Sequence, residues 1–457
     1  MTNIFLKLLF AGSIFAVASS AQARRPQLPN DLETVAFQSL DVVASEQVVK
    51  TNSIYEAGEW PTKIDSTLVP VLVGVGSAIG YDDEASAFTT SSVANELGAI
   101  YEAHPNFRNQ KAIAQIPELI RRGVQSFKRY REGSLFNFYP ARMWKGVRVR
   151  QPIDMHLASI WKGFTNVPQD ADTSSSVFAT ILYDAKLRGE TFRIPDEAYA
   201  SFDRYRDLNR QAHYYNRGEK RRNTGAYMTW QMNENAKEMP HYWFAEPNEG
   251  VRIPFNRNDV DCIVNLNVLR MRALADKTSD EGSKRSCDMI NSMIQKSEHA
   301  TCGIYYPNTY NMAFSSANLH AAGGSCIQTQ RQREMVDFIL KGQSADGGWD
   351  NDRNIWNDRI QSTAFAMTAL LQFGDMRNQG TVSSLRYGVA FLLRSAKFTK
   401  AGQPYWDGEV FFTATAIARS LVVWRSTAFT TAVVANVLLK MRKHSPEWNV
   451  PSYLKIN

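Results

Sequence analysis

Arg333–Ala364 reads REMVDFILKGQSADGGWDNDRNIWNDRIQSTA. Phe338 and Ile339 fall on the apolar face of a helix that ends just before Gln343. Gly347 and Trp349 follow, and a polar loop through Trp356-Asn357-Asp358 leads into a second apolar helical run, QSTAFAMTALLQFG. A helix terminus leaves backbone groups without intrahelical partners, and Gln343 stands where its amide can reach them. Trp349 supplies a large flat surface against which the next helix packs. The stretch therefore ties one helix hairpin to the next, and a motif of this kind spread over repeats is scaffold.

Weaker copies occur elsewhere. Arg386-Tyr387-Gly388 leads to Phe391-Leu392, Gly402 and Trp406; Arg122-Gly123 leads to Phe127, Gly133 and Phe136. Both lack the glutamine. The Gln343/Gly347/Trp349 spacing resembles the QW motif of terpene cyclases and, more broadly, the terpene cyclase/protein prenyltransferase α/α-toroid superfamily. The resemblance implies an all-α fold: a single α/α toroid of about six helix hairpins in two concentric rings. Strand patterns are scarce along the chain, in keeping with that expectation.

A second theme recurs. An acidic turn precedes a helix rich in small residues: Tyr81-Asp82-Asp83 before SAFTTSSVANELGAIYEA, Asp170–Ser174 before SSVFATILYDAKL, and Asn258–Asp261 before CIVNLNVLRMRAL. The turns start near 82, 170 and 258, so the interval is 258 − 170 = 88. A fourth sits at Asn357-Asp358, and a last, Trp424–Thr427 before AFTTAVVANVLLKM, has lost its acids. An interval of this length suits two helix pairs of about 44 residues each. LIRRGVQSFKRY, YNMAFSSANLHAAG and SLRYGVAFLLRSA supply the intervening hairpins. In a toroid the inner helices run parallel, so Asp82, Asp83, Asp170, Asp172, Asp259, Asp261 and Asp358 are expected around one mouth of the central cavity.

Acids before a helix are first of all N-caps, favoured by free backbone N–H groups and by the helix dipole. Asp170-Ala171-Asp172-Thr173-Ser174, with Val167-Pro168 before it, also resembles the D-x-D-D/T-T/S motif of protonation-initiated (class II) terpene cyclases. That resemblance makes Asp172 the general acid and has Asp170 hold it by a hydrogen bond. Such chemistry needs a carboxylic acid kept protonated by burial and a neighbouring carboxylate. It also needs aromatic faces that stabilise carbocations; Trp161, Phe164, Tyr227, Trp230, Trp243 and Trp356 lie near the acidic turns. Asp82, Asp83, Asp259 and Asp261 are the further binding candidates. A carbohydrate-active enzyme, either polysaccharide lyase or glycoside hydrolase, is the alternative, with Asp172 paired to Asp259 or Asp82 as acid and base. Tyr305, Tyr306, Tyr310 and His320 are available to a lyase. A non-catalytic toroid that binds lipid, glycan or protein is the third reading. Protein prenyl transfer fits poorly, because its zinc needs an Asp-x-Cys pair and Asp261-Cys262 has no intervening residue.

The chain opens MTNIFLKLLFAGSIFAVASSAQA, one lysine before an apolar run and a small-x-small end, the pattern of a secretory signal peptide. The expected layout is a signal peptide over 1–23, a helical N-terminal extension over 24–60 and the toroid over 61–457, in a periplasmic or extracellular protein. Leu68–Ile79 is the other long apolar run, too short and Gly-rich to span a bilayer, so no stable membrane span is expected. Four cysteines, Cys262, Cys287, Cys302 and Cys326, form an even set of the kind exported proteins oxidise. Three pairings are open, and short loop closure favours Cys287–Cys302 with Cys262–Cys326. No CxxC spacing occurs, and neither metal nor cofactor is expected. Net charge is +7, but aspartates interleave the basic run Arg204–Arg222, which reads as a solvated face. Nucleic acid is set aside as a partner; the expected ligand is a small hydrophobic molecule or a glycan.

Overall fold

The computed structural model describes residues 28–29, 31–65, 81–153, 166–209, 223–233, 250–253, 258–353, 356, 358–414 and 422–444. The signal-like stretch, the run at 68–79, Trp161, Phe164, Trp243 and most of the basic run at 204–222 lie outside the described residues.

Among the described residues, six helices form an inner ring: α2 (Ala87–Ala103), α4 (Ala171–Leu187), α6 (Cys262–Leu274), α8 (Asn311–Ala321), α10 (Arg359–Phe373) and α12 (Thr427–His444). Each packs on the next, and α12 packs back on α2, so the ring closes. Their sequences are buried on nearly every side, and Ala, Ser and Thr let crowded backbones approach. The alternating outer helices are α1 (Leu32–Glu46), α3 (Ile116–Ser126), α5 (Asp196–Arg204), α7 (Glu281–Gln295), α9 (Thr329–Lys341) and α11 (Gln379–Arg394). They are one-faced; α9, for example, buries Met335 and Ile339 and leaves most of its charges outside. The segment read as an extension supplies α1, which packs its Leu32, Val35, Ala36, Leu40 and Val43 face inward beside α12, as the outer partner of the last inner helix.

Three expectations need correction. Among the described residues, the 88-residue intervals hold one hairpin each, not two. The extra length between α2 and α4 goes into β-hairpins at 131–136 and 141–150, whereas α6, α8 and α10 follow at about half that interval. Strands are also more organised than the patterns indicated. Strands β1 (Thr62–Asp65), β2 (Tyr81–Glu84), β3 (Val410–Thr413) and β4 (Val423–Arg425) form an antiparallel sheet in the order β2-β1-β4-β3. Third, the disulfides are Cys262–Cys302 and Cys287–Cys326, with Cα–Cα distances of 5.7 and 5.3 Å. Closing the shortest loop was the wrong criterion, because ring membership decides. Cys262 opens inner helix α6 and faces the loop leading into α8; Cys287, on outer helix α7, faces the lead into α9.

The tie between hairpins uses Trp349 more than Gln343. The Trp349 indole N–H donates to the carbonyl of Ile339 in the last turn of α9, 2.7 Å away. The Gln343 amide instead donates to the Gly347 and Ser384 carbonyls, joining the turn to α11. Trp60 and Trp406 repeat the indole contact on Val43 of α1 and Leu392 of α11, each at 2.8 Å. The backbone N–H of an aromatic residue also meets a polar side chain one turn into the next inner helix. Trp60 meets Thr90, Phe136 meets Ser174, Tyr227 meets Asn265, Trp349 meets Thr363 and Trp406 meets Thr431, at 2.9–3.3 Å.

Candidate active site

The inner helices start at one mouth, and their caps crowd it. Asp170 caps α4 by accepting from the Thr173 N–H at 2.5 Å. Asp261 caps α6 through the Ile263 and Val264 N–H groups, and its other oxygen accepts from the Ile304 and Tyr305 N–H groups. Its lone pairs are spent on holding the loop that carries Tyr305 and Tyr306. Asp259 accepts from the hydroxyls of Thr229 at 2.5 Å and Tyr305 at 2.6 Å. Trp230 closes this side, its indole N–H donating to the Tyr305 hydroxyl at 2.9 Å.

Asp172 lies two residues, about half a turn, beyond the Asp170 cap and is 4% exposed. Asn267 donates to one carboxyl oxygen at 2.7 Å, and the Tyr306 hydroxyl donates to the other. Burial, then the charge of Asp170, pushes its pKa up to about 8, against the pull of those two donors. Asp170 is itself pushed up to about 7 by burial. The expected hydrogen bond from Asp170 to Asp172 is not formed. Asp170 acts on its neighbour through charge, one oxygen capping α4 and the other, buried, without a hydrogen-bond partner.

Asn267 and Tyr306 line a cavity of about 50 Å³ on the ring axis. Phe88, Phe314, Phe411 and Phe429 form an aromatic belt around it. Strand β3 delivers part of the cover: Phe411 stacks on Phe88 at 6.0 Å, and Phe412 stacks on Tyr305 at 5.8 Å. Arg270, Asn95, Glu96 and Asn318 line the same cavity from deeper turns of the inner helices.

The other expected residues divide. Asp83 is exposed on β2, paired in register with Lys63; Ser86, not the Asp82-Asp83 turn, caps α2. Tyr227 is buried between the rings, its hydroxyl donating to Asp280 on the outer side, so it is scaffold and no cavity wall. Tyr310 packs on Phe338, and His320 on Phe373. Trp356 stands apart, in an open cleft of about 470 Å³ with Asp358, Glu409 and Arg425. There the Arg425 guanidinium lies over its ring at 4.8 Å. Glu409 accepts from the Ile360 and Gln361 N–H groups at the start of α10, while Asp358 accepts from the Val410 N–H. Burial, then Asp358, pushes Glu409 up to about 8. Sequence reasoning missed Asn267, the phenylalanine belt and Glu409. Asn267 sits one and a half turns beyond the Asp261 cap, a position that repeat phasing alone could have flagged as cavity-facing.

Among the described residues, no group of His, Cys, Asp and Glu is arranged to hold a metal, and no helix is long and apolar enough to cross a membrane. No protein-family model matches the chain, and no curated protein matches its sequence. Solved structures do match. A variant of the type II terpene cyclase MstE from Scytonema, bound to its substrate geranylgeranyl dihydroxybenzoate, superposes with TM-score 0.54 at 12% identity, over 90% of this chain and 99% of that one. A second variant, bound to the product merosterolic acid A, gives 0.54 at 14% identity with the same coverage. A protein from Actinoplanes gives 0.50 at 13%, again over 90% and 99%. At these identities the likeness is one of fold, and the fold of this chain is the α/α toroid found in the type II terpene cyclases.

Proposed function

We propose that the chain is an exported enzyme that protonates and cyclises an isoprenoid, with Asp172 as the general acid. The observation that carries this reading is geometric: a buried carboxyl group, next to a second one, whose two hydrogen-bond donors Asn267 and Tyr306 line an aromatic cavity. Asn267 and Tyr306 both donate to Asp172 and so stabilise the carboxylate left after proton transfer. They make it a stronger acid than burial alone allows. Asp170 opposes them through its charge. Once the alkene takes the proton, the belt of Phe88, Phe314, Phe411 and Phe429 offers π faces to the migrating cation. Ligand pockets usually begin near about 300 Å³, so these rings must turn aside to admit an isoprenoid. Two disulfides and the leader-like opening support export to the periplasm or beyond.

The test is incubation of wild type and D172N with linear isoprenoids of increasing length, with product analysis and a melting curve for each protein. Wild type forms a cyclic product, and D172N keeps its melting transition while losing at least about 100-fold in rate. A wild type that leaves every isoprenoid untouched overturns the assignment. One observation favours a glycan-active enzyme as the second reading: the open cleft pairs Glu409 and Asp358 with the flat face of Trp356. Cleavage of a polysaccharide by wild type, lost in E409Q, establishes that reading instead.

A further inference from the structure

The central cavity is chemically asymmetric. On the side of the helix starts, Asn267 and Tyr306 line it and link it to Asp172, with Asp170, Asp259 and Asp261 buried at the rim beyond. A little over two turns down α6, about 12 Å deeper, stands Arg270, itself 8% exposed. A guanidinium has five N–H donors and cannot shed its charge. Arg270 makes two long hydrogen bonds, to the Asn95 carbonyl at 3.3 Å and the Tyr183 hydroxyl at 3.4 Å. Its Nε is buried with no hydrogen-bond partner, and it makes no ion pair among the described residues.

Glu96, the acid at this depth, draws the Arg270 pKa up through its charge but makes no ion pair with it among the described residues. The two Glu96 oxygens are taken at 3.2 Å by the amides of Asn318 and Asn436. Lys440 feels the same field: burial and the charges of Arg270 and Lys443 push its pKa down, against the pull of Glu96. A buried, under-bonded guanidinium facing a cavity is costly unless something pairs with it.

We propose that this deep end of the cavity is a second binding site, in which Arg270 takes the carboxylate of an amphipathic ligand whose apolar body fills the aromatic belt. A planar carboxylate matches the guanidinium fork through two parallel hydrogen bonds. A diphosphate carries more charge than Arg270 and Lys440 offset once Glu96 is counted. The site fixes the ligand end for end, with its carboxylate deep and its far alkene at Asp172. The proposal rests on the cyclase reading for the nature of that apolar body, and binding alone tests it.

Farnesoic acid and farnesol share one chain and differ only at the end group. Each is titrated by calorimetry into wild type, R270M, R270K and the surface control R377M at pH 7.5, with melting curves beside them. Wild type binds the acid at least tenfold more tightly than the alcohol. R270M brings the ratio near one, R270K keeps part of it, and R377M, which removes an exposed arginine outside the cavity, keeps it whole. Equal binding of acid and alcohol by wild type overturns the proposal, as does an unchanged ratio in R270M. Should R270M fail to fold, R270K decides: an undiminished ratio overturns the role of the fork. Cyclisation without the acid preference defeats this inference and leaves the cyclase reading standing. The preference without cyclisation does the reverse.

Discussion

Burial, then the charge of Asp170 close by, pushes the pKa of Asp172 up. That has a measurable sign. An aspartate that titrates at 3.8 when unfolded and at about 8 when folded gives a folded state that binds more protons between those values. Stability therefore falls as pH rises through that window and levels off above it. D172N removes the titration. Its stability relative to wild type should climb between pH 5 and pH 9 by at least about 1.4 kcal/mol, the worth of one pKa unit. The hydrogen bonds the substitution disturbs add a constant offset, so a difference flat across pH would show that Asp172 titrates normally. Tyr306 makes the companion case. Y306F deletes a donor to the carboxylate, so the loss of activity at high pH should move to higher pH while the maximum rate falls. A limb that stays in place would mean that the Tyr306 hydroxyl does not touch the acid in solution. The motif that singles out Asp172 in the sequence spans five consecutive residues, Asp170–Ser174. The partners of Asp172 were not legible there, because Asn267 and Tyr306 lie 95 and 134 positions away, and nothing local marks an asparagine or a tyrosine as belonging to a distant acid.

Each outer helix must hand the chain to the next inner helix, and the joint is built on an aromatic residue. Trp60, Trp349 and Trp406 are fully buried and make the same two bonds, indole to the preceding outer helix and backbone N–H to a threonine of the following inner one. W349F and W406F keep the ring and lose the indole donor. Each should cost about 1 kcal/mol in a denaturant titration, and the two costs should agree, since the contact is the same. A cost near zero for either would mean that the shape of the ring, not the bond, makes the joint. The Gln343 spacing exposed one joint clearly and Trp406 faintly. Trp60 stayed hidden because its glutamine counterpart, Gln47, which donates to Gly58 and Leu119, is separated from it by an inserted loop. Phe136 and Tyr227 take the backbone role without an indole. The fourth inner helix, α8, follows Tyr310, whose N–H donates to Asn308, so the acid pattern skipped it. The geometry of the joint is kept while its residues drift, which is why a residue pattern finds only part of the ring.

At the scale of the molecule, the disulfides divide the labour between the two rings. Cys262–Cys302 joins the start of α6 to the loop whose N–H groups bind Asp261 and whose Tyr306 reaches Asp172. Cys287–Cys326 joins outer helix α7 to the lead of α9, away from the acid. Both close loops of similar length, at separations of 40 and 39. Each should therefore contribute a similar amount, about 4 kcal/mol on the chain-entropy account. The consequences for chemistry should differ. Replacing Cys262 and Cys302 together by serine frees the Tyr305–Tyr306 loop, so it should lower stability and also shift the pH dependence set by Asp172. Replacing Cys287 and Cys326 should lower stability by a comparable amount and leave that pH dependence where it was. Non-reducing peptide mapping should yield Cys262 linked to Cys302, and unfolded, unreduced protein should show no free thiol. If both double variants move the pH dependence equally, the inner bridge has no special hold on the acid, and the position of Tyr306 is set by the sheet and by Asp261 alone.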